Sequence, residues 1–346
     1  MRAERRPMRI GMMGFGLVGR QIYRLALDDA QADLVAISDI GRPEILHNLL
    51  TKGADCGHVR LEANHLVSER GGAPRRARLM CADNPAEVPW DAFGVDVVID
   101  ATGRFRSAAN LAPHLENGAR RVILSTLPDG DVDRVVLYGV NQAEAVADDR
   151  IISAGSASTT AMALALKALA AAHAIEHATM TSVHAYTSDQ SLQDYAGPDY
   201  RRSRSGAENI IPNDTPAPRW VERALPAVEG KVSGFALNVP VQAGSLLDMT
   251  VAFASLAVDA EGVNELFEAA AAAEPALIAA TRDPIVSSDV KGRSESLLVD
   301  LQGTMKAGEN LIKVLAWHES LGHARRILDL AALYGGLDAA QAGESS

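Results

Sequence analysis

Short apolar runs, broken by turn residues and by segments of helical spacing, fill the first half of the chain. Arg9–Met13 is an apolar run ending in glycines, Gln21–Asp28 repeats its apolar positions at helical spacing, and Asp33–Ser38 is a second run. Val95–Asp100 and Arg121–Ser125 are two more, rich in β-branched residues and bounded by turn formers. This alternation predicts a parallel sheet of βαβ units, since parallel neighbours need a crossover long enough for a helix. The second half has longer strands, expected at Thr179–Tyr186, Val232–Val239, Leu246–Val251 and Leu311–His318. Helices are expected at Thr159–Ala172 and Asp259–Ala273. The pattern predicts a second, α+β layer, with the change falling near Ile151–Ala157. The small, polar segment Asp338–Ser346 is expected to fray.

Composition narrows the classes. At 346 residues the chain exceeds one domain of ~150 residues. With 47% hydrophobic and 22% charged residues it reads as soluble and globular, not disordered. No apolar run reaches the ~18–20 residues of a membrane span. The basic start, Met1–Pro7, does not lead into a signal peptide, because Arg9, several glycines and Arg20 interrupt the next apolar run. The 33 Lys+Arg against 44 Asp+Glu give a net charge of −11, which argues against a general nucleic-acid or anionic-membrane binder. A local basic patch stays compatible with that balance. The two cysteines, Cys56 and Cys81, exclude a disulfide scaffold. They suit a reducing, cytoplasmic setting and small packing roles.

Gly14-Phe15-Gly16-Leu17-Val18-Gly19 has the spacing G-x-G-x-x-G. It follows a strand, opens a helix, and is followed by Asp39 at the end of the next strand. Gly14 allows the tight turn, Gly16 a close approach of backbone to pyrophosphate, and Gly19 close packing of helix on strand. The helix start adds free N–H groups and a positive dipole end. Asp39 can accept from both ribose hydroxyls and would repel a 2′-phosphate, which favours NAD over NADP. The bland alternative is an ordinary strand–turn–helix with a solvated Asp39.

The chain resembles the phosphorylating glyceraldehyde-3-phosphate dehydrogenase family, which includes erythrose-4-phosphate dehydrogenase. The likeness runs from Met8 to about Leu330. It is carried by Gly14–Arg20, Gly94–Gly103, Tyr138–Asn141, Thr181–Asp189, Asn209–Pro212, Gly234–Pro240, Val314–Trp317 and Arg326–Leu330. The resemblance implies a doubly wound α/β NAD domain over residues 1–156, an α+β catalytic domain over 157–320, and a C-terminal helix over 321–346 that returns to the first domain. It implies a homotetramer. It also implies cofactor contacts at Phe15, Gly16, Leu17, Val18, Asp39, Thr102, Gly103, Ser125 and, across a one-residue gap, Ser320.

The family's catalytic pattern breaks here. Its Ser-Cys-Thr-Thr-Asn-Cys segment corresponds to Ala157-Ser158-Thr159-Thr160-Ala161-Met162, so Ser158 stands where the resemblance places the nucleophilic cysteine. A hydroxyl is a far weaker nucleophile than a thiolate unless a base activates it. His184 matches the family's base, but no third residue completes a hydrolase triad with it. Ser158 is therefore a candidate nucleophile or, more simply, the cap of the adjoining helix. Thr159, Thr187 and Thr215 match substrate positions, with Asp189 beside them. Ala157 replaces a serine, Pro216 a glycine, and Asn238 the arginine that holds a phosphate. Arg204, clustered with Arg201 and Arg202, could reach a substrate anion or form part of a solvated charge run. His58, His173, His177, His318 and His323 show no metal-ligand spacing, and no metal is expected. Surface or interface roles are expected for His318 and His323.

Two functions compete. One is a divergent NAD-dependent oxidoreductase of a small carbonyl or hydroxyl compound, which could be phosphorylated or otherwise anionic, with His184 as acid/base and no covalent thiohemiacetal. The other is a catalytically silent NAD-binding paralogue acting as sensor, scaffold or partner subunit. Neither involves nucleic acid or membrane.

Overall fold

A computed structural model describes residues 6–52, 56–69, 74–187 and 190–344. The chain divides into two compact units. One holds residues 1–138, 142–155 and 324–346; the other holds 139–141 and 156–323.

In chain order the first unit contains β1 (Met8–Met13), α1 (Leu17–Leu27), β2 (Ala32–Ser38), α2 (Pro43–Lys52), β3 (Arg60–Glu62), β4 (His65–Ser68) and β5 (Arg75–Met80). Then come β6 (Val97–Asp100), α3 (Ala108–Glu116), β7 (Arg121–Leu124), β8 (Arg134–Val135) and β9 (Ile151–Ser153). Among the described residues its strands form one sheet in the order β3-β4-β5-β2-β1-β6-β7-β9-β8. β1 pairs in parallel with β2 on one side and β6 on the other. The order thus reverses beside β1, and the crevice outside the strand ends at such a point is where doubly wound sheets bind ligands. Strands β1, β6 and β7 are nearly continuous apolar runs because both faces are covered. The main core gathers Ile10, Ile22, Ile37, Ile99, Ile123 and Ile152 with Ile327, Leu330 and Tyr334 of the last helix.

The second unit contains α4 (Ala157–Ala170), β10 (Ile175–Ala185), β11 (Ile211–Asn213), α5 (Ala217–Ala224), β12 (Val232–Val239), β13 (Ser245–Phe253), α6 (Ala260–Ala273), β14 (Ile278–Thr281), β15 (Leu297–Lys306) and β16 (Leu311–His318). The sheet order is β11-β12-β10-β13-β16-β15-β14. Along β13 and β16 buried positions alternate strictly with half-buried ones. That alternation marks a sheet with one face in a core. Helix α4 packs against β10, β15 and β16, and its run from Thr159 to Leu166 is buried on every side. A helix apolar all round belongs in a core. A long helix, α7 (Ser320–Glu344), ends the chain.

Three expectations change. Helix α1 begins at Leu17, not Gln21, because the glycine turn itself is the helix entry. The end of the chain does not fray from Asp338. The helix continues to Glu344, and Asp338 pairs with Arg120 at 2.9 Å and Arg121 at 2.6 Å. Cys56 is buried as expected, whereas Cys81 is exposed.

Candidate active site

The glycine turn is built as its spacing demands. Gly14 has φ +92°, a left-handed conformation, and a Cβ there would lie 2.7 Å from the backbone of Ala101 and Thr102. At Gly19 a Cβ would collide with the carbonyl oxygen of Gly14, so helix and strand can approach only without it. Gly16, the N-cap of α1, has no side-chain cap and faces open space. An uncapped helix start over an open glycine offers N–H donors and a positive dipole end to an anion. Leu17 is exposed, Val18 is half-buried and Phe15 is buried.

Asp39 follows β2 and ties this turn together. Its Oδ2 accepts from Phe15 N at 2.6 Å and its Oδ1 from Gly41 N at 2.8 Å. Each carboxylate oxygen retains acceptor capacity for a further donor. Thr102 and Gly103 follow β6, and Ser125 follows β7 with its N–H on the Asp100 carbonyl. All these residues therefore lie beyond the same ends of neighbouring strands.

Beneath Thr102 runs a buried polar chain that sequence reading missed. Asp100 is fully buried. Its Oδ1 accepts from Thr102 N at 3.0 Å and Thr102 Oγ1 at 2.7 Å. Trp90 Nε1 donates to His114 Nδ1 at 2.9 Å, and His114 Nε2 lies 3.3 Å from Asp100 Oδ2. An indole N–H can only donate, so Nδ1 of a neutral His114 accepts and its Nε2–H faces the carboxylate. The uncapped glycine turn, the acidic residue at the β2 end and the rigid Thr102 turn fit a dinucleotide.

In the second unit the cap of α4 is not Ser158. Ser156 is the N-cap, its Oγ accepting from Thr159 N at 3.2 Å. Ser158 sits within the first turn, and among the described residues its Oγ has one partner, Ser156 Oγ at 3.3 Å. Thr159 is fully buried, its hydroxyl 2.6 Å from that of Ser156. A serine ahead of a small-residue helix is the sequence signal for this cap, and the position that the resemblance marks, Ser158, lies two residues further on.

His184 lies near the end of β10, and its ring Nδ1 meets the Ala185 carbonyl oxygen at 2.5 Å. A carbonyl only accepts, so Nδ1 carries the proton and Nε2 of the neutral ring keeps its lone pair. The structure brings His318 against it, with ring centroids 6.0 Å apart. His318 and His323 are both buried, so neither has the surface role that was one of the two expected for it, because each occupies the inward face of its element. Burial first, then the neighbouring His184 and His323, lower the pKa of His318 to about 3.

Asn238 pairs with His184 across β10–β12. Its Oδ1 accepts from Asn213 Nδ2, and its Nδ2 donates to Gln190 Oε1 at 2.9 Å, which also receives Thr187 N at 3.1 Å. Both ends of this amide are thus engaged within the protein. Thr187 is exposed, and Thr215 accepts from Ala217 N at 3.2 Å. Arg204 is exposed and paired with Asp194 at 2.9 Å. Ser320 opens α7, its Oγ 3.3 Å from the Glu319 carboxylate. Asp189 lies outside the described residues.

Comparison with known proteins agrees with this geometry. Residues 8–108 match the family description "Glyceraldehyde 3-phosphate dehydrogenase, NAD binding domain", and residues 156–320 match "Glyceraldehyde 3-phosphate dehydrogenase, C-terminal domain". Glyceraldehyde-3-phosphate dehydrogenase 1 of Streptomyces avermitilis is 37% identical over 333 residues, covering 95% of this chain and 98% of its own. The glyceraldehyde-3-phosphate dehydrogenase of Kitasatospora aureofaciens is 38% identical over 330 residues, covering 93% and 97%. That of Borreliella burgdorferi is 35% identical over 336 residues, covering 94% and 98%.

Proposed function

The chain belongs to the glyceraldehyde-3-phosphate dehydrogenase family, and on that premise we propose that it oxidises a small carbonyl or hydroxyl compound without a covalent thiohemiacetal. One observation carries the proposal: among the described residues Ser158 Oγ meets only another hydroxyl, while His184 holds its Nδ1 proton on a carbonyl. A serine hydroxyl without an imidazole partner is not activated for attack. His184 Nε2 is the free proton acceptor. It takes the hydroxyl proton of an alcohol, or of an aldehyde hydrate, as the C–H hydride departs. Bound NAD supplies the hydride acceptor.

Gly14 to Gly19, Asp39, Thr102, Gly103, Ser125 and Ser320 hold the cofactor in this proposal. Thr159, Thr187, Asp189, Arg204, Thr215 and Asn238 shape the substrate site, with Arg204 the group suited to a phosphate or other anion. The protein would act as a homotetramer in the cytoplasm. A catalytically silent NAD-binding paralogue is the second reading. The internally satisfied Thr159 hydroxyl and Asn238 amide favour it, since both would have to be released to grip a substrate.

The experiment is Ser158→Cys, assayed with glyceraldehyde-3-phosphate, NAD and phosphate, beside the unaltered protein on a broad panel of aldehydes and alcohols. NADH formation by the unaltered protein on a panel member supports the oxidoreductase. NAD binding with no turnover on any member supports the silent paralogue. Activity of Ser158→Cys with the phosphorylated aldehyde would show that the rest of the site still supports the family's reaction.

A further inference from the structure

The first sheet carries cations that the nucleotide site does not use. Across β4–β5, His65 stands directly opposite Arg78, and Val67 opposite Arg76. Opposed residues, and residues two apart on one strand, share a sheet face. His65, Arg76 and Arg78 therefore project from one face, while Leu66, Ala77 and Leu79 join the main core on the other. The face they share opens into a cavity of about 500 Å³, which Arg9, Asp33 and Arg75 also line.

The arginines of this cavity are not equivalent. Arg75 directs its guanidinium at the carbonyl oxygens of Ala26, Asp29 and Ala32, at 2.5, 3.0 and 2.8 Å. Arg9 bonds the Phe93 and Gly94 carbonyls and lies 3.7 Å from Asp33. These two have structural duties. Arg76 has only Glu62 at 4.0 Å among the described residues. Arg78 is half-buried and, among the described residues, its guanidinium makes no ion pair or hydrogen bond. Burial, then Arg78 and Arg76, push the His65 pKa down, so the three groups feel one another. The neighbouring guanidinium groups of Arg76 and Arg78, two residues apart on one face of β5, repel each other. A multiply charged anion between them would reverse that cost.

We propose that this cavity binds a small oligophosphate anion, with the guanidinium groups of Arg78 and Arg76 as the clamp and His65 as a third donor at its edge. Guanidinium forks match phosphate oxygens in geometry and charge. Two residues apart on a strand, the arginines are set about 7 Å from each other at their backbones, wider than one phosphate group spans, so linked phosphates fit better than a single one. A concave site with a half-buried guanidinium suits a compact ion better than a broad macromolecular surface. The cavity is separate from the nucleotide turn. Its clamp residue Arg78 stands opposite Ala36 of β2, three residues short of Asp39 and so about 10 Å from it at ~3.3 Å per residue, and neither Asp39 nor any residue of the glycine turn lines the cavity.

The test is calorimetric titration of the full-length protein with inorganic tripolyphosphate at low salt, with the nucleotide site saturated by NAD. Binding should persist under NAD and weaken roughly tenfold or more in Arg78→Ala, and also in Arg78→Gln, which keeps side-chain bulk should the alanine variant misfold. Arg282→Ala, which removes an exposed charge elsewhere, should leave binding unchanged. The His65 ring resonance should titrate at higher pH when tripolyphosphate is present. No binding under NAD, equal loss in the Arg282 variant, or tighter binding of an acidic peptide than of tripolyphosphate would each overturn the proposal.

Discussion

The ring of His318 stands against the ring of His184, their planes inclined at 64°. The pair joins two strands remote in the chain. Ser245 links them further, opposing His318 across β13–β16 and accepting from the N–H of Ala185. His184 is thereby held between a fixed carbonyl on one side and an uncharged ring on the other. A neutral neighbour matters to a base, because a cation there would lower its proton affinity.

That neutrality has a consequence for stability. An unfolded imidazole takes its proton near pH ~6.5, whereas folded His318 does so only near about 3, through burial and then His184 and His323. The stabilisation linked to this residue is complete above pH ~6.5 and is lost as pH falls toward 3, at up to about 1.4 kcal/mol per unit. His318→Phe should flatten that limb. Guanidinium unfolding of both proteins at pH 7 and pH 5 checks it; an unchanged pH difference would contradict it.

A second test falls on the polar chain under the cofactor turn. His114→Phe strands the Trp90 N–H and the Asp100 Oδ2 inside the first unit. Leaving two buried polar groups without partners costs about 2–4 kcal/mol. Because Asp100 also holds Thr102, NAD affinity should fall together with stability. Urea unfolding and NAD titration of the same variant would measure both. Loss of stability with unaltered NAD affinity would show that the chain does not position the turn.

Asp39 should decide between dinucleotides. Asp39→Asn keeps an acceptor for Phe15 N or Gly41 N but removes the negative charge that repels a 2′-phosphate. NAD binding should weaken and the preference over NADP should shrink by roughly tenfold, about 1.4 kcal/mol. Fluorescence titration with both dinucleotides reads this directly, and an unchanged ratio would remove Asp39 from specificity.

The last helix offers a fourth case. Tyr334 Oη donates to Asp149 Oδ2 at 2.7 Å, and Arg134 Nε and Val146 N reach the same oxygen at 2.8 and 3.0 Å. Burial by itself would raise this carboxyl's pKa; the three donors more than reverse it and hold it below the usual range. Its stabilisation is present above the ordinary carboxylate pKa near ~3.9 and is lost as pH falls through the lower folded value. Tyr334→Phe should cost about 1–2 kcal/mol at neutral pH, since one donor to a charged acceptor disappears. It should also move the onset of acid unfolding to higher pH. Thermal melts across pH 3–7 would show either shift or its absence.

Adjacency along the chain decided which features were legible in the sequence. The tight turn at Gly14, Gly16 and Gly19 and the place of Asp39 after the next strand were legible because strand, turn and helix follow one another within a few residues. Strands β12 and β16 were legible to their end residues, since each is an apolar run between turn formers. Strand β15 was not, because charged and polar residues (Asp300, Gln302, Lys306) interrupt its pattern and its pairing partners give it shape. The Trp90–His114–Asp100 chain, the His184–His318 contact and the amide network around Asn238 join residues far apart in sequence. No local period marks them. The cap at Ser156 has a local signal, a serine ahead of a small-residue helix, but Ser158 in the same short segment carries the same one. Asp338 read as a frayed, polar end because its partners Arg120 and Arg121 lie at the start of a distant strand.

The most direct measurement addresses Ser158. The unaltered protein would be incubated with glyceraldehyde-3-phosphate and NAD, with and without phosphate, then examined by intact-mass spectrometry and by assay for 1,3-bisphosphoglycerate. The expected result is no acyl mass on the chain and no bisphosphoglycerate. An acyl group on Ser158, or product at an ordinary enzymatic rate of ~10 per second, would contradict the non-covalent route.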